Sequence, residues 1–112
     1  MKEIKAYIRC EKAEGVIHAL EDAGVKGVTL IDVMAVGKNI DPKNYKYSIA
    51  CVDKYQKVAK LEIICADQNA DRFVEIIRKE AYTSRQGDGM IFVSDIKRAV
   101  KIRTGEEGVA AL

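Results

Sequence analysis

One pattern, strand then helix then strand, occurs twice in this chain of 112 residues and strongly limits its possible folds. Apolar residues alternate with polar ones in the first strand, whereas they recur at helical spacing in the segments between strands. The predicted strands are 2–9, 27–36, 60–65 and 90–95, and the predicted helices are 12–23 and 68–81. We therefore expect an α+β, ferredoxin-like fold (βαββαβ) with an antiparallel four-stranded sheet and both helices on one face. The length fits a single domain over 1–112.

The face of the predicted sheet away from the helices keeps part of its apolar character. Tyr7, either Leu30 or Ile31, Ile64 and Phe92 fall on it among polar residues. A partly apolar sheet face in a small domain is typical of a surface that another subunit covers. The sequence therefore indicates an oligomer.

A segment of 21 residues, 37–57, separates the two halves and has no sustained period. It is locally basic, with five lysines against two aspartates: Lys38, Lys43, Lys46, Lys54 and Lys57, with Asp41 and Asp53. A loop of this length inside a small domain is uncommon and usually functional. The alternative is an insertion that the fold merely tolerates.

The last quarter of the chain carries the clearest binding signal. A turn, Gly87-Asp88-Gly89, precedes an apolar strand, and Lys101 and Arg103 follow at alternate positions of a segment that we predict to be extended. Glycine lets backbone N–H groups approach a ligand closely, and two cations on one strand face add positive charge. Amide donors with paired cations are typical of a polyphosphate site.

Composition excludes several other classes of protein. A net charge of only +2 gives no general attraction to nucleic acid or to anionic membranes. No apolar run is long enough to span a bilayer, and the charged start is unlike a signal peptide, so we expect a cytosolic protein without membrane insertion. Three cysteines and one histidine without metal-ligand spacing (Cys10, Cys51, Cys65 and His18) predict free thiols and no metal site.

The whole chain resembles the PII signal-transduction proteins. The most specific matches are the Gly87-Asp88-Gly89 turn followed by Ile91-Phe92-Val93, and the tail Ile102-Arg103-Thr104-Gly105-Glu106. This resemblance implies a homotrimer that binds adenine nucleotides (ADP, AMP or ATP, with Mg²⁺ accompanying ATP) in the clefts between subunits. Segment 37–57 would then be the T-loop, which docks onto a target such as a transporter or a metabolic enzyme. Segment 82–89 would be the B-loop, and 101–112 the C-terminal tail. The resemblance implies a sensor with no catalytic residues and no catalytic cofactor.

The resemblance also assigns nucleotide-binding residues position by position. Gly87, Asp88 and Gly89 match the turn around the phosphates, while Lys101 and Arg103 match phosphate-binding cations, the arginine coming across the subunit boundary. The remaining matches are Thr29 at the adenosine, Ile64 at the adenine edge, and Gly37 with Lys38 at the mouth of the long loop.

Some positions depart from the family pattern. Met90 replaces a lysine that reaches the polyphosphate, and Lys101 replaces an arginine, so these two changes favour AMP or ADP over ATP. The alternative is that Arg85 takes over the missing contact. Asn39 and Val58 replace residues that hold magnesium and 2-oxoglutarate, which argues against sensing of 2-oxoglutarate.

The long loop departs most strongly. Cys51 stands where uridylylated members carry a modified tyrosine, so this modification is not expected. Tyr45, Tyr47 and Tyr55 are candidate partner-binding anchors, because aromatic residues dominate interface hot spots. Alternatively, one or more of them packs the loop against its own sheet.

The fold alone permits two other functions. One is a small enzyme of the acylphosphatase type, which would need Arg and Asn around an in-line water. The other is a trimer that resembles the divalent-cation-tolerance proteins. We observe neither a catalytic cluster nor a metal-binding inventory in the sequence.

Overall fold

The computed structural model describes residues 1–35 and 56–112 and has the predicted order of elements. The strands are β1 (Lys2–Arg9), β2 (Thr29–Ala35), β3 (Gln56–Cys65) and β4 (Gly89–Asp95), and the helices are α1 (Ala13–Asp22) and α2 (Asp67–Ala81). Short 3-10 helices occupy Cys10–Lys12 and Gly108–Ala111. Strand β3 begins at Gln56, so it includes the last two residues of the segment that we predicted as a loop.

The four strands form one antiparallel sheet in the order β2-β3-β1-β4. Of the three strand pairs, only β2–β3 joins strands that are consecutive in sequence. This order, with both helices against one face, is the split βαβ arrangement of the ferredoxin-like fold. The predicted fold class is confirmed.

The core lies between the sheet and the two helices. Strand residues at every second position and helix residues three or four apart point into it, as the period of each element requires. Its members include Ile4, Ala6, Ile8, Val16, Leu20, Leu61, Ile63, Phe73 and Ile77. Cys65 is a buried member and Cys10 packs against the core, so both are free structural thiols, as predicted.

Helix α1 ends at a glycine, as predicted for Gly24. This residue has φ of +98°, a conformation that residues with a Cβ rarely adopt. The Gly24 N–H donates to the Glu21 carbonyl and the Val25 N–H donates to the Leu20 carbonyl, both at 3.0 Å. These two bonds form a Schellman motif, which satisfies the last carbonyls of the helix and turns the chain toward β2.

The sheet face opposite the helices (the open face) carries both charged and apolar side chains. The register resolves one ambiguity: Ile31 pairs with Lys60 and shares the open face, whereas Leu30 pairs with the core residue Leu61. Tyr7 and Phe92 meet edge to face on the open face, with ring centroids 6.1 Å apart. No element within the described residues covers this apolar surface as the helices cover the other face.

Candidate functional site

A cavity of about 700 Å³ lies beside the ends of β2 and β3. Thr29 and Ile64, two of the predicted nucleotide-binding residues, both line it. The register explains their proximity, because Thr29 pairs with Glu62, two residues before Ile64. Val109 and Leu112 from the end of the chain form another part of the wall. The wall also includes polar and charged side chains, among them Lys26, Glu62 and Asn69. A cavity of this size with a mixed polar and apolar lining suits a planar, partly polar ligand.

The Gly87-Asp88-Gly89 turn lies at the opposite edge of the sheet and is held to the end of β1 by Arg9. The Arg9 Nε donates to Asp88 Oδ1 at 3.0 Å, and Arg9 Nη2 donates to the Gln86 carbonyl at 2.9 Å. The Thr83 N–H donates to Asp88 Oδ2 at 2.7 Å, and the Thr83 hydroxyl donates to Asp88 Oδ1. The carboxylate of Asp88 therefore fixes the turn from within.

These contacts favour the ionised form of Asp88. Burial by itself would raise the pKa of this carboxyl, but hydrogen bonds from Thr83 and Arg9, with the Arg9 charge, outweigh burial and lower the pKa below its ordinary value. The Asp88 charge is thus neutralised inside the turn. Consequently it does not repel an anionic ligand at the turn as a free carboxylate would.

Gly89 is required by a close approach of two backbones. Its φ is +109°, and a Cβ built there would lie 1.7 Å from the Tyr7 carbonyl oxygen. Gly87 also has a positive φ, of 99°. The turn therefore depends on glycine at position 89 for the pairing of β4 with β1.

The tail differs from its prediction. Lys101 and Arg103 do not lie on an extended segment, because residues 102–104 form a turn. The Lys101 N–H donates to the Glu106 carbonyl and the Gly105 N–H donates to the Lys101 carbonyl, both at 2.8 Å. The prediction of an extended segment was wrong, since alternation over three residues does not distinguish a strand from a turn that Gly105, with φ of +75°, closes.

Both cations of this turn are nevertheless exposed. Within residues 1–35 and 56–112, neither Lys101 nor Arg103 forms an ion pair. Ile102 between them is fully exposed. The turn therefore presents two cations that are available for an anionic ligand.

The two groups of predicted residues lie on opposite edges of the sheet. Thr29 begins edge strand β2 and Gly89 begins edge strand β4, with β3 and β1 between them. Three strand spacings separate the two edges by roughly 14 Å, and the register adds a shift of roughly 10 Å along the strands. Each edge of a single chain thus carries only part of the predicted site.

The structure also shows the surroundings of three positions that bear on the departures from the PII pattern and of one nearby lysine. Met90 is 54% exposed on β4, so an apolar side chain indeed follows the turn. Val58 is buried between Arg9 of β1 and Val33 of β2. Lys60 binds Glu62 at 2.9 Å, and this hydrogen bond raises the lysine's pKa. Arg85 contacts Glu11 at 3.3 Å.

Several predicted residues lie outside the part of the chain that the structure describes. They are Gly37, Lys38, Tyr45, Tyr47 and Tyr55, together with Asn39 and Cys51. The assignments to these positions stay predictions.

Sequence reasoning missed Arg9, Thr83, Val109 and Leu112. The alternating pattern of β1 places Arg9 among the polar positions, so it predicts an exposed side chain, whereas Arg9 is buried. No pattern marked Thr83 or the two tail residues, since their contacts join segments that are distant in sequence.

Within the described residues, no group of His, Cys, Asp and Glu side chains is placed to hold a metal ion. No helix in that part of the chain is long and apolar enough to cross a bilayer.

Comparison with known proteins gives a consistent result. The profile of the family described as nitrogen regulatory protein P-II matches residues 1–106. The nitrogen regulatory protein P-II of Rhizobium meliloti (strain 1021) is 39% identical over 113 aligned positions that cover all of both chains. Nitrogen regulatory protein P-II 2 of Methanothermobacter thermautotrophicus is 42% identical over all of this chain and 97% of its own length.

A third relative is the nitrogen fixation nifHD region GlnB-like protein 1 of Methanothermobacter marburgensis. It is 41% identical over 97% of this chain and all of its own length. The matched range of the family profile, residues 1–106, includes all four strands, both α-helices, the turn at Gly87–Gly89 and positions 101 and 103. The chain therefore belongs to the P-II family of nitrogen regulatory proteins.

Proposed function

We propose that this protein is a P-II-type regulator that binds adenine nucleotides in clefts between the subunits of a homotrimer. The observation that carries this proposal is the placement of two complementary parts of a site on opposite edges of one sheet. A cavity suited to adenosine lies at one edge, and a turn with glycine backbone and a neutralised carboxylate lies at the other. Edge-to-edge association of copies in a closed ring joins one part to the other.

The open face of the sheet supports the same assembly. Phe92 and Ile64 are exposed there, and the Phe92 ring meets the Tyr7 ring edge to face. Burial of this surface against other copies would contribute favourable free energy of association at about 25 cal/mol per Å². A ring in which the sheets face one another would cover the open face and align the edges together.

In this arrangement each residue group has a separate task. Thr29 and Ile64 bind the adenosine, with Gly37 and Lys38 at the mouth of the loop. The backbone of Gly87–Gly89 binds the phosphates, and Lys101 and Arg103 supply their counter-charge. No group of the chain is assigned to bond making or breaking, so the protein acts by binding. Mg²⁺ would enter only with ATP.

Nucleotide preference follows from the charge available to the phosphates. Met90 is exposed next to the turn and supplies no charge there. Arg85 contacts Glu11, and a new contact with a phosphate would require this pair to separate. We therefore expect ADP or AMP to bind more tightly than ATP.

We further propose that segment 37–57 controls a partner protein, such as a transporter or a metabolic enzyme. Its basic composition suits an acidic surface on the partner, and Tyr45, Tyr47 and Tyr55 are the proposed anchors. The nucleotide would set which partner-binding form of the segment is populated.

Isothermal titration of the purified protein tests this function. ADP should bind to the wild type, and Arg103→Ala should weaken that binding by tenfold or more. A tenfold loss of affinity corresponds to about 1.4 kcal/mol of binding free energy, which one charge-assisted contact can supply. Lys97→Ala is the matched control, since Lys97 is an exposed cation six positions before Arg103 and outside the tail. Equal affinities for all three proteins would refute the assignment of Arg103.

The same titrations rank AMP, ADP and Mg-ATP. A clear preference for Mg-ATP would contradict the argument from Met90.

Size-exclusion chromatography with light scattering measures the assembly, and a monomer would contradict the proposed clefts. Steady release of phosphate from ATP or from an acyl phosphate would instead favour an enzyme.

A further inference from the structure

Among the residues whose burial the structure describes, Arg9 is the one charged residue that is buried. Its exposed fraction is 1%, although it is the last residue of β1 and belongs to the strand positions that the sequence marks as polar. A buried guanidinium loses its hydration, and this cost is recovered only through well-placed acceptors. The acceptors of Arg9 should therefore reveal what the residue does.

Both acceptors with described geometry belong to the turn before β4. Arg9 Nε contacts Asp88 Oδ1 at 3.0 Å and Arg9 Nη2 contacts the Gln86 carbonyl at 2.9 Å. These two groups flank Gly87 on either side in the sequence. Since one planar fork binds both, the relative position of the two neighbours of Gly87 is fixed by Arg9.

A second set of bonds transmits this constraint along the turn. Asp88 also accepts from the N–H and the hydroxyl of Thr83, and Thr83 Oγ1 in turn accepts from the Arg85 N–H at 3.2 Å. The turn from 83 to 88 is thus tied to one buried cation. At the far end of the turn, the close approach of Gly89 to Tyr7 fixes the backbone to β1 once more.

We propose that Arg9 is a positioning residue for the phosphate-binding turn, an inference that rests on the proposed function. Arg9 does not contact the nucleotide. It holds Gln86 and Asp88 so that the backbone around Gly87 keeps one conformation before the ligand arrives, and it neutralises Asp88. Preorganised donors bind an anion without the free-energy cost of ordering the turn.

Because the two parts of the proposed site lie on opposite edges of the sheet, a comparison of ADP with adenosine distinguishes a local change in the turn from a general loss of structure. Adenosine contacts only the Thr29 and Ile64 side of the site, whereas ADP also needs the turn. Arg9→Leu should weaken ADP binding by about ten- to a hundredfold, the range expected when binding groups are misplaced by about 1 Å. Adenosine affinity should stay within about twofold of the wild type, below about 0.4 kcal/mol.

Three further variants make the experiment decisive. Arg9→Lys keeps the charge but not the fork, so its ADP affinity should fall between wild type and Arg9→Leu. Thr83→Val removes one hydroxyl from the same network without touching the buried cation, and it should also weaken ADP selectively. Arg78→Leu is the control, because Arg78 is an exposed arginine paired with Glu75 on α2.

The outcomes separate this inference from the proposed function. Equal losses for ADP and adenosine in Arg9→Leu and Thr83→Val would overturn the positioning role while leaving nucleotide binding in place. Unchanged ADP affinity in both variants would overturn it as well. A wild-type protein that binds neither ligand would refute the proposed function itself, and the positioning role with it.

Discussion

At the scale of single residues, Asp88 makes the stability of this protein depend on pH in a definite direction. Its pKa is lowered in the folded state, so it contributes stability above its ordinary pKa of about 3.9 and loses that contribution as the pH falls through the lowered value. Asp88→Asn should cost about 1–3 kcal/mol at neutral pH, because Arg9 and Thr83 lose a charged acceptor. Thermal denaturation from pH 7 to pH 2.5 measures the difference.

The expected signature is the shape of that difference. It should be constant from pH 7 to about pH 5 and should shrink as the pH falls below about 4, because there the unfolded chain binds a proton at this carboxyl more readily than the folded protein does. Asp22→Asn is a suitable control, since Asp22 is exposed at the end of α1. A difference that is undiminished at pH 2.5 would show that the carboxylate charge is not what stabilises the turn.

At the scale of elements, the pairing of β1 with β4 depends on Gly89. Gly89→Ala should lower the free energy of unfolding by about 3 kcal/mol or more, because a positive φ and a backbone collision coincide there. Gly24→Ala separates these causes. Its φ is +98°, but a Cβ there meets nothing within 4 Å, so the cost should be only about 1–2 kcal/mol.

Thermal midpoints of both variants at one protein concentration measure this comparison. Equal losses would show that backbone conformation alone accounts for the requirement at position 89. Any shift in the amide signals of β1 should be confined to Gly89→Ala, since only this position contacts Tyr7.

The elements also show how far the sequence predicts the structure. Period-2 and helical patterns, together with one segment rich in Val, Leu and Ile, identified the four strands and both α-helices, because each of these elements packs one face against the core over many residues. The two short 3-10 helices carried no such pattern. The same reasoning failed at Lys101–Arg103, where three residues are too few to define a period. It also ended the loop two residues late, since Gln56 and Lys57 are polar residues at the start of β3.

The candidate site was assigned from short motifs and from the family resemblance, and both describe residues that are close in sequence better than contacts between distant segments. The glycine turn and the tail cations are visible as motifs, whereas the contact of Arg9 with Asp88 spans 79 positions. Side-chain contacts of that range depend on strand order, which a single sequence does not contain.

At the scale of the whole molecule, the two edges predict complementation between defective subunits. Thr29→Lys should block the cavity edge and Gly87→Asp should place a carboxylate in the turn, so neither pure protein should bind ADP. In mixed rings of the proposed homotrimer, one interface per ring would join the intact edge of one variant to the intact edge of the other. Co-expressed or refolded mixtures should therefore recover part of the ADP-binding capacity, measured by titration.

Complementation distinguishes a shared site from a site within one chain. A mixture that binds no ADP, although light scattering shows mixed trimers, would contradict the shared clefts. A mixture of wild type and Gly87→Asp is the control, since it should retain sites in proportion to its intact edges.

The contact between Gly89 and Tyr7 has a consequence for how such a protein can change over time. Position 89 is closed to substitution by the folding of the sheet itself, whatever ligand is bound. The next residue, Met90, is more than half exposed, so we expect a charged side chain there to reach solvent without disturbing the core. If position 90 sets ligand choice as proposed, the requirements of folding and of ligand choice fall on adjacent positions, and nucleotide preference can change while the architecture stays fixed.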